Sequence, residues 1–366
     1  MAEGFITRRG GVSAEKTLNP SINFVSKGGF EIVVTFTNND STQADVFYGI
    51  TSTLTDKVTV AASGTSSNVT FSGLDPNTPY TVSAYAIVTD STLKKIKSEI
   101  ISTSITTDDI QYTAATGGTT LEYNDGGKRY KSHTFTSSEN FVVNQVGNGD
   151  RNQIDYLIIA GGGGGARANT GASGGGGAGG FLSTVNPIPN NQNPQSKITV
   201  SQTSYGVIVG SGGSGRSSTG AGTSGQNSSV FGQTAIGGGG GGGLNGGSGG
   251  GRSQAGAGSG IINQGNDGSN NSVNSGAGGG GAGQPGNDNN GGNGLSNTLR
   301  NGTSEIRAGG GGGGNLGSGG TGGGGDSFQS GQPNTGGGGG GTHGGGTSGN
   351  GGSGIVIIRY EIAPSA

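Results

Sequence analysis

The distribution of glycine constrains the fold of this chain more than any other feature of the sequence. Of its 90 glycines, 14 precede residue 161 and the other 76 lie between Gly161 and Gly354. Globular chains contain about 7% glycine and about 45–50% apolar residues, whereas hydrophobic residues make up only 27% of this chain. The glycine-rich region has too few large side chains for an ordinary hydrophobic core, so any order in it must come from the backbone.

Composition alone leaves two interpretations of this region open. High glycine content is typical of a flexible linker, while collagen is excluded because there is no Gly-x-x period and the chain has only 9 prolines. Polar turn-like segments between the glycine runs favour the second interpretation, packed polyglycine-II strands. Such strands have about three residues per turn and no internal hydrogen bonds, so close packing lets each one bond to several neighbours. The pure glycine runs are Gly161–Gly165, Gly174–Gly177, Gly237–Gly243, Gly278–Gly281, Gly309–Gly314, Gly322–Gly325 and Gly336–Gly341.

Two apolar strands bracket the glycine runs. Ile154–Ala160 leads directly into the first run, and Ile355–Tyr360 follows the last glycine. A disordered linker has no reason to end in such a strand, so we expect the two strands to pair, or to lie side by side, and to close the region. The predicted C-terminal domain therefore consists of a β segment at residues 110–160 and a glycine-rich part at 161–362.

Residues 19–109 have the pattern of an all-β domain. Apolar residues alternate from Phe30 to Phe36, and further short strands follow with turn signals between them. Short strands over roughly ninety residues predict a β-sandwich. The preceding residues 1–18 lack periodicity and are interpreted as an arm, in which Arg8–Arg9 is a candidate docking contact.

The sandwich region carries a recognisable motif. The Leu-x-Pro-x-Thr-x-Tyr run of Leu74–Tyr80, followed by an alternating strand, resembles a fibronectin type III domain, and the resemblance covers about residues 20–107. It implies that Tyr80 is the corner tyrosine, with its hydroxyl bonded to the backbone upstream. The chain has no tryptophan for the core of such a domain, so Phe30 or Ile32 is expected to fill that volume.

A second resemblance rests on Phe135, Tyr156–Gly165, Gly174–Gly180, Val207–Gly213 and Gly354–Tyr360. These residues look like the glycine-rich domain of many phage tail and fibre proteins, and the resemblance covers about residues 130–361. In its glycine runs alone, the region is also similar to the long-tail-fibre adhesins of T-even-type phages. That similarity implies stacked polyglycine-II helices with receptor-binding loops at the tip. The chain departs from those adhesins because it has no recognisable N-terminal attachment region.

Few residues of this chain suggest chemistry. The formal net charge is -2 and no basic block is present, which argues against nucleic-acid binding. The absence of cysteine excludes disulfides and thiolate metal sites. The only histidines, His133 and His343, are far apart and lack nearby carboxylates in a catalytic or zinc-binding pattern. We therefore expect no catalytic site, metal or cofactor, and no enzyme.

The resemblances predict a structural protein of a phage virion surface. The first residues lack the apolar stretch of a signal peptide and no run is long enough to span a membrane, so we expect synthesis in the host cytoplasm and assembly into the virion. In one hypothesis the chain is a tail-fibre or adhesin-type component, whose arm and sandwich contact other virion proteins and whose loops bind a host surface glycan or protein. The alternative is a capsid decoration, head-fibre or baseplate-associated protein without receptor binding. Bulky residues in polar loops are the candidate receptor contacts, although each could serve local packing instead: Phe181, Leu244, Phe328 and His343.

Overall fold

The computed structural model describes residues 21–27, 29, 31–39, 42–51, 53–62, 64–89, 95–185, 187, 194–252, 256–270 and 276–364. The chain divides into two compact units, residues 1–110 and 111–366. The predicted arm at 1–18, with Arg8–Arg9, and the core candidate Phe30 lie outside the described residues. Within the described ranges the secondary structure is all-β, apart from one 3-10 turn at Gly149–Asn152.

Eight strands form the first unit: β1 Ser21–Lys27, β2 Glu31–Asn38, β3 Ala44–Gly49, β4 Asp56–Val60, β5 Thr65–Ser72, β6 Pro79–Thr89, β7 Lys95–Lys97 and β8 Ile101–Thr106. They build two antiparallel sheets. One sheet has the order β1-β2-β5, and the other has the order β4-β3-β6-β7, with β8 also paired to β6. The inner faces of both sheets contribute to one hydrophobic core, so the predicted sandwich is confirmed.

The predicted alternation decides which side chains of the sandwich are buried. Every second residue of β2 faces the core, because successive side chains of a strand point to opposite faces. Ile32, a candidate for the core volume, is completely buried, and Phe36 lies beside it in the same core. At the corner before β6, the Tyr80 hydroxyl accepts a hydrogen bond of 2.8 Å from the backbone N–H of Asp75, as the motif predicts.

Thirteen strands belong to the second unit: β9 Ala114–Thr116, β10 Thr119–Asp125, β11 Lys128–Phe135, β12 Glu139–Gln145, β13 Gln153–Ile159, β14 Phe181–Ser183, β15 Ile198–Thr199, β16 Ser204–Val207, β17 Ser228–Val230, β18 Gln233–Ala235, β19 Leu295–Asn297, β20 Glu305–Arg307 and β21 Ile355–Ile362. The main sheet has the order β10-β11-β21-β13-β14, and β15 also pairs with β13. A second sheet has the order β16-β12-β9, and β17-β18 and β19-β20 are two-stranded.

The two apolar strands that bracket the glycine runs do pair. β13 and β21 are antiparallel neighbours in the middle of the main sheet, in a register that places Ile159 opposite Ile355. Both faces of this pair are buried: Ile158 packs into one hydrophobic cluster and Leu157 into another on the opposite face. Burial on both faces explains why these strands are continuous apolar runs rather than alternating ones.

Between these strands, the glycine runs form packed polyglycine-II segments. In the segment 161–166, the N–H groups donate in a repeat of three, because such a helix has about three residues per turn. Gly161 and Gly164 donate to residues 226 and 223, at 3.0 and 2.9 Å. The second residues of the two triplets, 162 and 165, donate to residues 352 and 349. The third residues, 163 and 166, donate to residues 177 and 174. Each turn of the segment therefore bonds to three different strands through its donors alone.

The carbonyl groups of the same segment reach three further strands. Gly161 accepts from Gly238, Gly162 from Gly213, and Gly163 from residue 339, at 2.8–2.9 Å. A Cβ placed on any of these three glycines would overlap a backbone carbonyl of a neighbouring strand, so no other residue fits. The six strands around the segment are 174–180, 211–215, 223–226, 237–241, 336–341 and 349–352.

Outer segments differ from interior ones in carrying a polar side chain at every third position. Asn290 and Asn293 are both exposed, three residues apart on one outer segment. Their Oδ1 atoms accept hydrogen bonds from the N–H groups of Ser318 and Thr321, at 2.9 and 3.0 Å. An amide side chain thus takes the place of the strand that is missing at the surface, and satisfies a backbone donor there.

Candidate functional site

The glycine segments connect the β-sheets to a set of loops at one end of the second unit. Segment 161–166 continues from β13 to the loop 167–172, and the antiparallel segment 173–180 returns to β14. The segments on either side of residues 216–220 repeat this arrangement between β16 and β17. The loops remote from the sheets are called the distal loops here: 167–172, 216–220, 242–245, 287–290, 315–316, 326–328 and 343–347.

Three distal loops are joined to one another by hydrogen bonds. Arg167 and Gly220 exchange backbone hydrogen bonds of 3.0 Å in both directions. The Nε of Arg167 donates to the carbonyl of Gly346 at 2.6 Å, and Ala172 forms a β-bridge with His343. These contacts fix the loops 167–172, 216–220 and 343–347 as one surface, on which the His343 side chain is exposed.

Two further loops, 315–316 and 326–328, adjoin this surface. The N–H of Ser327 donates to the carbonyl of Gly317 at 2.9 Å, which holds the second of these loops against the first. The ring of Phe328 lies beside Gly346. The exposed aromatic ring therefore lies against the loop 343–347.

Three of the four candidates from the sequence lie on the distal loops. Leu244 is 39% exposed and Phe328 is 42% exposed, and both are in loops that follow glycine segments. His343 is also exposed. Their position suits a contact with another molecule, and the role itself stays a prediction.

The prediction for Phe181 is wrong. This residue is completely buried and begins β14, at the sheet end of the unit. Its ring packs in a cluster with Leu157, Ile159 and Leu299. A glycine run precedes Phe181 in the sequence, but that run returns to the sheet instead of ending in a loop, so the ring enters the core.

Sequence reasoning missed the most exposed apolar residue of the described chain, Leu316. Its side chain is 90% exposed and its φ is 65°. It lies in a turn in which the N–H of Gly317 donates to the carbonyl of Gly313 at 3.2 Å. The signal in the sequence was Leu316 itself, which is the only apolar residue between Gly309 and Ser318.

The charged side chains of the distal loops bind mainly to the protein itself. Arg167 also donates to Asn169 Oδ1 at 2.9 Å, and Arg216 Nε donates to the carbonyl of Ala221 at 2.6 Å. Asp326 Oδ1 accepts from the N–H of Gly319 at 2.8 Å. These bonds restrain the loops, so the distal surface is a fixed arrangement of groups rather than a set of free side chains.

The one buried histidine of the described residues belongs to the core. His133 Nδ1 lies 2.6 Å from the carbonyl of Gly117, and its Nε2 lies 3.0 Å from the Tyr360 hydroxyl, which accepts from the N–H of Ala115. Burial lowers the pKa of His133 and raises the pKa of Tyr360 to about 12. Both shifts favour the neutral form of the side chain, and this chain of hydrogen bonds links β11, β21 and β9.

Two further searches cover the described ranges only. They contain no group of three or more His, Cys, Asp or Glu side chains arranged to hold a metal ion. They also contain no helix of the length and apolar character needed to cross a membrane.

Comparison with known proteins identifies the second unit. No curated protein matches the chain. A protein-family model described as a glycine-rich domain matches residues 136–361, a range that starts just after β11 and includes all the polyglycine-II segments and most of β21. This chain therefore belongs to the glycine-rich domain family.

Proposed function

We propose that this chain is a non-enzymatic structural protein of a phage virion surface, a tail-fibre or adhesin-type component that binds the host through its distal loops. The observation that carries the proposal is the arrangement of the second unit: a backbone-bonded core holds the loops together at the end remote from the sheets. Binding residues concentrate on loops that a rigid scaffold positions. Exposed Leu244, Leu316 and Phe328 give this surface apolar groups, and aromatic rings such as that of Phe328 are enriched in the cores of interfaces.

The first unit is proposed as the part that contacts other virion proteins. Its sheet orders, and the bond from the N–H of Asp75 to the Tyr80 hydroxyl, support the fibronectin type III resemblance. The arm at residues 1–18 is proposed to take part in the same attachment. Under this division of roles, the sandwich holds the chain to the particle and the glycine-rich domain faces the host.

Binding to intact cells tests the proposal. Fluorescently labelled full-length chain is added to a panel of Gram-negative and Gram-positive strains, and cell-bound fluorescence is measured. We expect saturable binding to at least one strain, weakened by Phe328→Ser. The matched control is Ile208→Ser, which removes an apolar side chain that is 55% exposed next to β16 at the sheet end. Equal loss of binding in both variants, or binding to no strain, would contradict the proposal.

The position on the particle separates this function from a head decoration. Antibodies against the chain, coupled to gold, are imaged on virions by electron microscopy. Labelling at the tips of tail fibres supports the adhesin-type role. Labelling of the capsid surface supports a decoration or head fibre, and labelling at the baseplate supports an associated structural protein.

A further inference from the structure

Six asparagines of this chain are followed directly by glycine, the sequence at which an amide side chain is hydrolysed most readily. Glycine has no Cβ, so it leaves its backbone nitrogen open to approach. After losing its proton, that nitrogen attacks Cγ of the asparagine, and the amide is lost as ammonia. The structure decides which of the six pairs can react in this way, and their asparagines are Asn148, Asn245, Asn290, Asn293, Asn301 and Asn350.

On the outer glycine segments, hydrogen bonds hold both of the reacting groups. Asn290 Oδ1 accepts from the N–H of Ser318 at 2.9 Å, and the N–H of Gly291 donates to the carbonyl of the same serine at 2.9 Å. At Asn293–Gly294 the same two bonds, of 3.0 and 2.8 Å, are made with Thr321. The first bond of each pair fixes the amide side chain, and the second keeps the proton on the attacking nitrogen.

Two more pairs of the glycine-rich part are bonded in the same way. Asn245 Oδ1 accepts from the N–H of Ser259 at 2.8 Å, and the N–H of Gly246 donates to the carbonyl of this serine at 3.2 Å. At Asn350–Gly351 the corresponding bonds, both of 2.8 Å, go to residues 215 and 213. All four pairs on the glycine segments therefore have the amide oxygen and the glycine N–H occupied.

Asn301 lies in the loop between β19 and β20, and its pair is bonded within that loop. The N–H of Gly302 donates to the carbonyl of Thr298 at 2.9 Å, and Asn301 Oδ1 accepts from the N–H of Thr303 at 3.0 Å. A hydrogen-bonded amide loses its proton only when the structure around it opens. Five of the six glycine nitrogens are therefore protected against the first step of the reaction.

The exception is Gly149, which follows Asn148. It is exposed and begins the 3-10 turn Gly149–Asn152, so its N–H has no partner within the turn. The side chain of Asn148 does not cap the turn, and in the described part of the chain no other group accepts a hydrogen bond from this N–H. The turn contains no buried residue, so its local opening costs little.

We propose that Asn148 is the deamidation site of the folded chain, and that hydrogen bonds protect the other five Asn-Gly pairs. Hydroxide removes the amide proton of Gly149, the nitrogen forms a bond to Cγ of Asn148, and the bond from Cγ to the side-chain nitrogen breaks to release ammonia. Water then adds to either carbonyl of the cyclic succinimide and opens it to aspartate or isoaspartate. The net reaction consumes one water and releases one ammonia.

Asn148 belongs to a loop that holds the first residues of the second unit. Its Oδ1 accepts from the N–H of Gln111 at 3.1 Å, and its own N–H donates to the Gln111 carbonyl at 3.2 Å. Close by, Thr113 Oγ1 donates to the carbonyl of Arg151 at 2.6 Å. Isoaspartate adds a methylene group to the backbone before Gly149, so it displaces the loop from its partners. The modification therefore loosens residues 111–113.

Peptide mapping by mass spectrometry tests the assignment. Folded full-length chain is kept in mildly alkaline buffer beside short synthetic peptides that span each of the six pairs, and the deamidated fraction at each asparagine is followed with time. The ratio of the rate in the folded chain to the rate in the peptide removes intrinsic differences between the pairs. We expect this ratio to exceed about one tenth at Asn148 and to lie below it at the other five. A lower ratio at Asn148, or a higher one at any bonded pair, overturns the proposal.

The effect on residues 111–113 is tested with a matched variant. Asn148→Gln keeps an amide at this position but reacts far more slowly, because glutamine would have to close a six-membered ring. Both full-length chains are aged in the same buffer, and amide hydrogen exchange of residues 111–113 is compared with that of the fresh sample of each. We expect exchange to become faster in the aged unchanged chain alone. Faster exchange in both aged chains, or in neither, overturns the link between the modification and this segment.

Discussion

Replacing Gly239 with valine tests whether the glycine segments form a packed core. Gly239 is buried in the interior segment 237–241. Its N–H donates to the carbonyl of Ser248 at 2.9 Å, and its own carbonyl accepts from Gly177 at 2.8 Å. A Cβ at this position would overlap the carbonyl oxygen of Leu244. The atom in the way belongs to the backbone, so no side-chain rotation relieves the overlap.

The cost of Gly239→Val follows from these contacts. Forcing extra methyl groups into a packed core costs about 1–3 kcal/mol. Displacing the backbone endangers two hydrogen bonds, each with a net contribution of about 1 kcal/mol. We therefore expect a loss of about 3–5 kcal/mol in the free energy of unfolding. For a unit of this size that corresponds to a fall of roughly 6–20 °C in the unfolding temperature.

The matched control is Gly206→Val, which makes the same substitution where there is space. Gly206 is exposed on β16, and a Cβ added there meets no atom within 4 Å. Both variants change the entropy of the unfolded chain alike, so the difference between them reports on packing. Differential scanning calorimetry of the full-length variants measures it. Equal unfolding temperatures for the two variants would refute the packed backbone core and favour the flexible linker.

Three other predictions concern side chains. Tyr80→Phe removes the corner hydrogen bond and is expected to cost about 1 kcal/mol in urea unfolding. Burial lowers the pKa of His133, so the unfolded chain binds a proton at a higher pH than the folded chain does. The contribution of His133 to the free energy of unfolding is fully present above about pH 6.5 and falls as the pH drops, by at most about 1.4 kcal/mol per pH unit. His133→Gln should abolish this pH dependence in unfolding experiments. Arg359→Leu removes the 3.0 Å ion pair with Asp155, which is 3% exposed and keeps Lys197 at 3.4 Å, so it is expected to cost about 1.5–3 kcal/mol; Lys128→Leu, from an exposed pair, should cost less than about 1 kcal/mol, and similar losses in both would contradict the reasoning.

Strands were predictable from the sequence wherever a simple pattern reports on burial. The alternation in β2 and β6 follows from sheets that have one face in the core. The continuous apolar runs of β13 and β21 follow from a sheet that is buried on both faces. The short strands β17 to β20 have no comparable pattern, because only three residues each form a pair, and they were not predicted.

The glycine runs were the best guide to the interior of the second unit. Six of the seven runs contain or form stretches of buried residues, because a segment with neighbours on every side has room for no Cβ. The direction of each segment could not be read in this way. Whether a segment ends at the sheets or at the distal loops depends on its hydrogen-bonded neighbours, which glycine does not encode. Phe181 was misplaced for that reason, and Leu316 was overlooked as a single residue in a glycine-rich stretch.

Stability and surface chemistry come from different atoms in this architecture. Between Gly161 and Gly354, interior order rests on backbone hydrogen bonds between glycine segments, and the polar side chains of outer segments complete the same network, as Asn290 and Asn293 do. The distal side chain of Leu316 takes no part in that network. Its identity is therefore not set by the packing of the domain, whereas Gly239 has no permitted substitute.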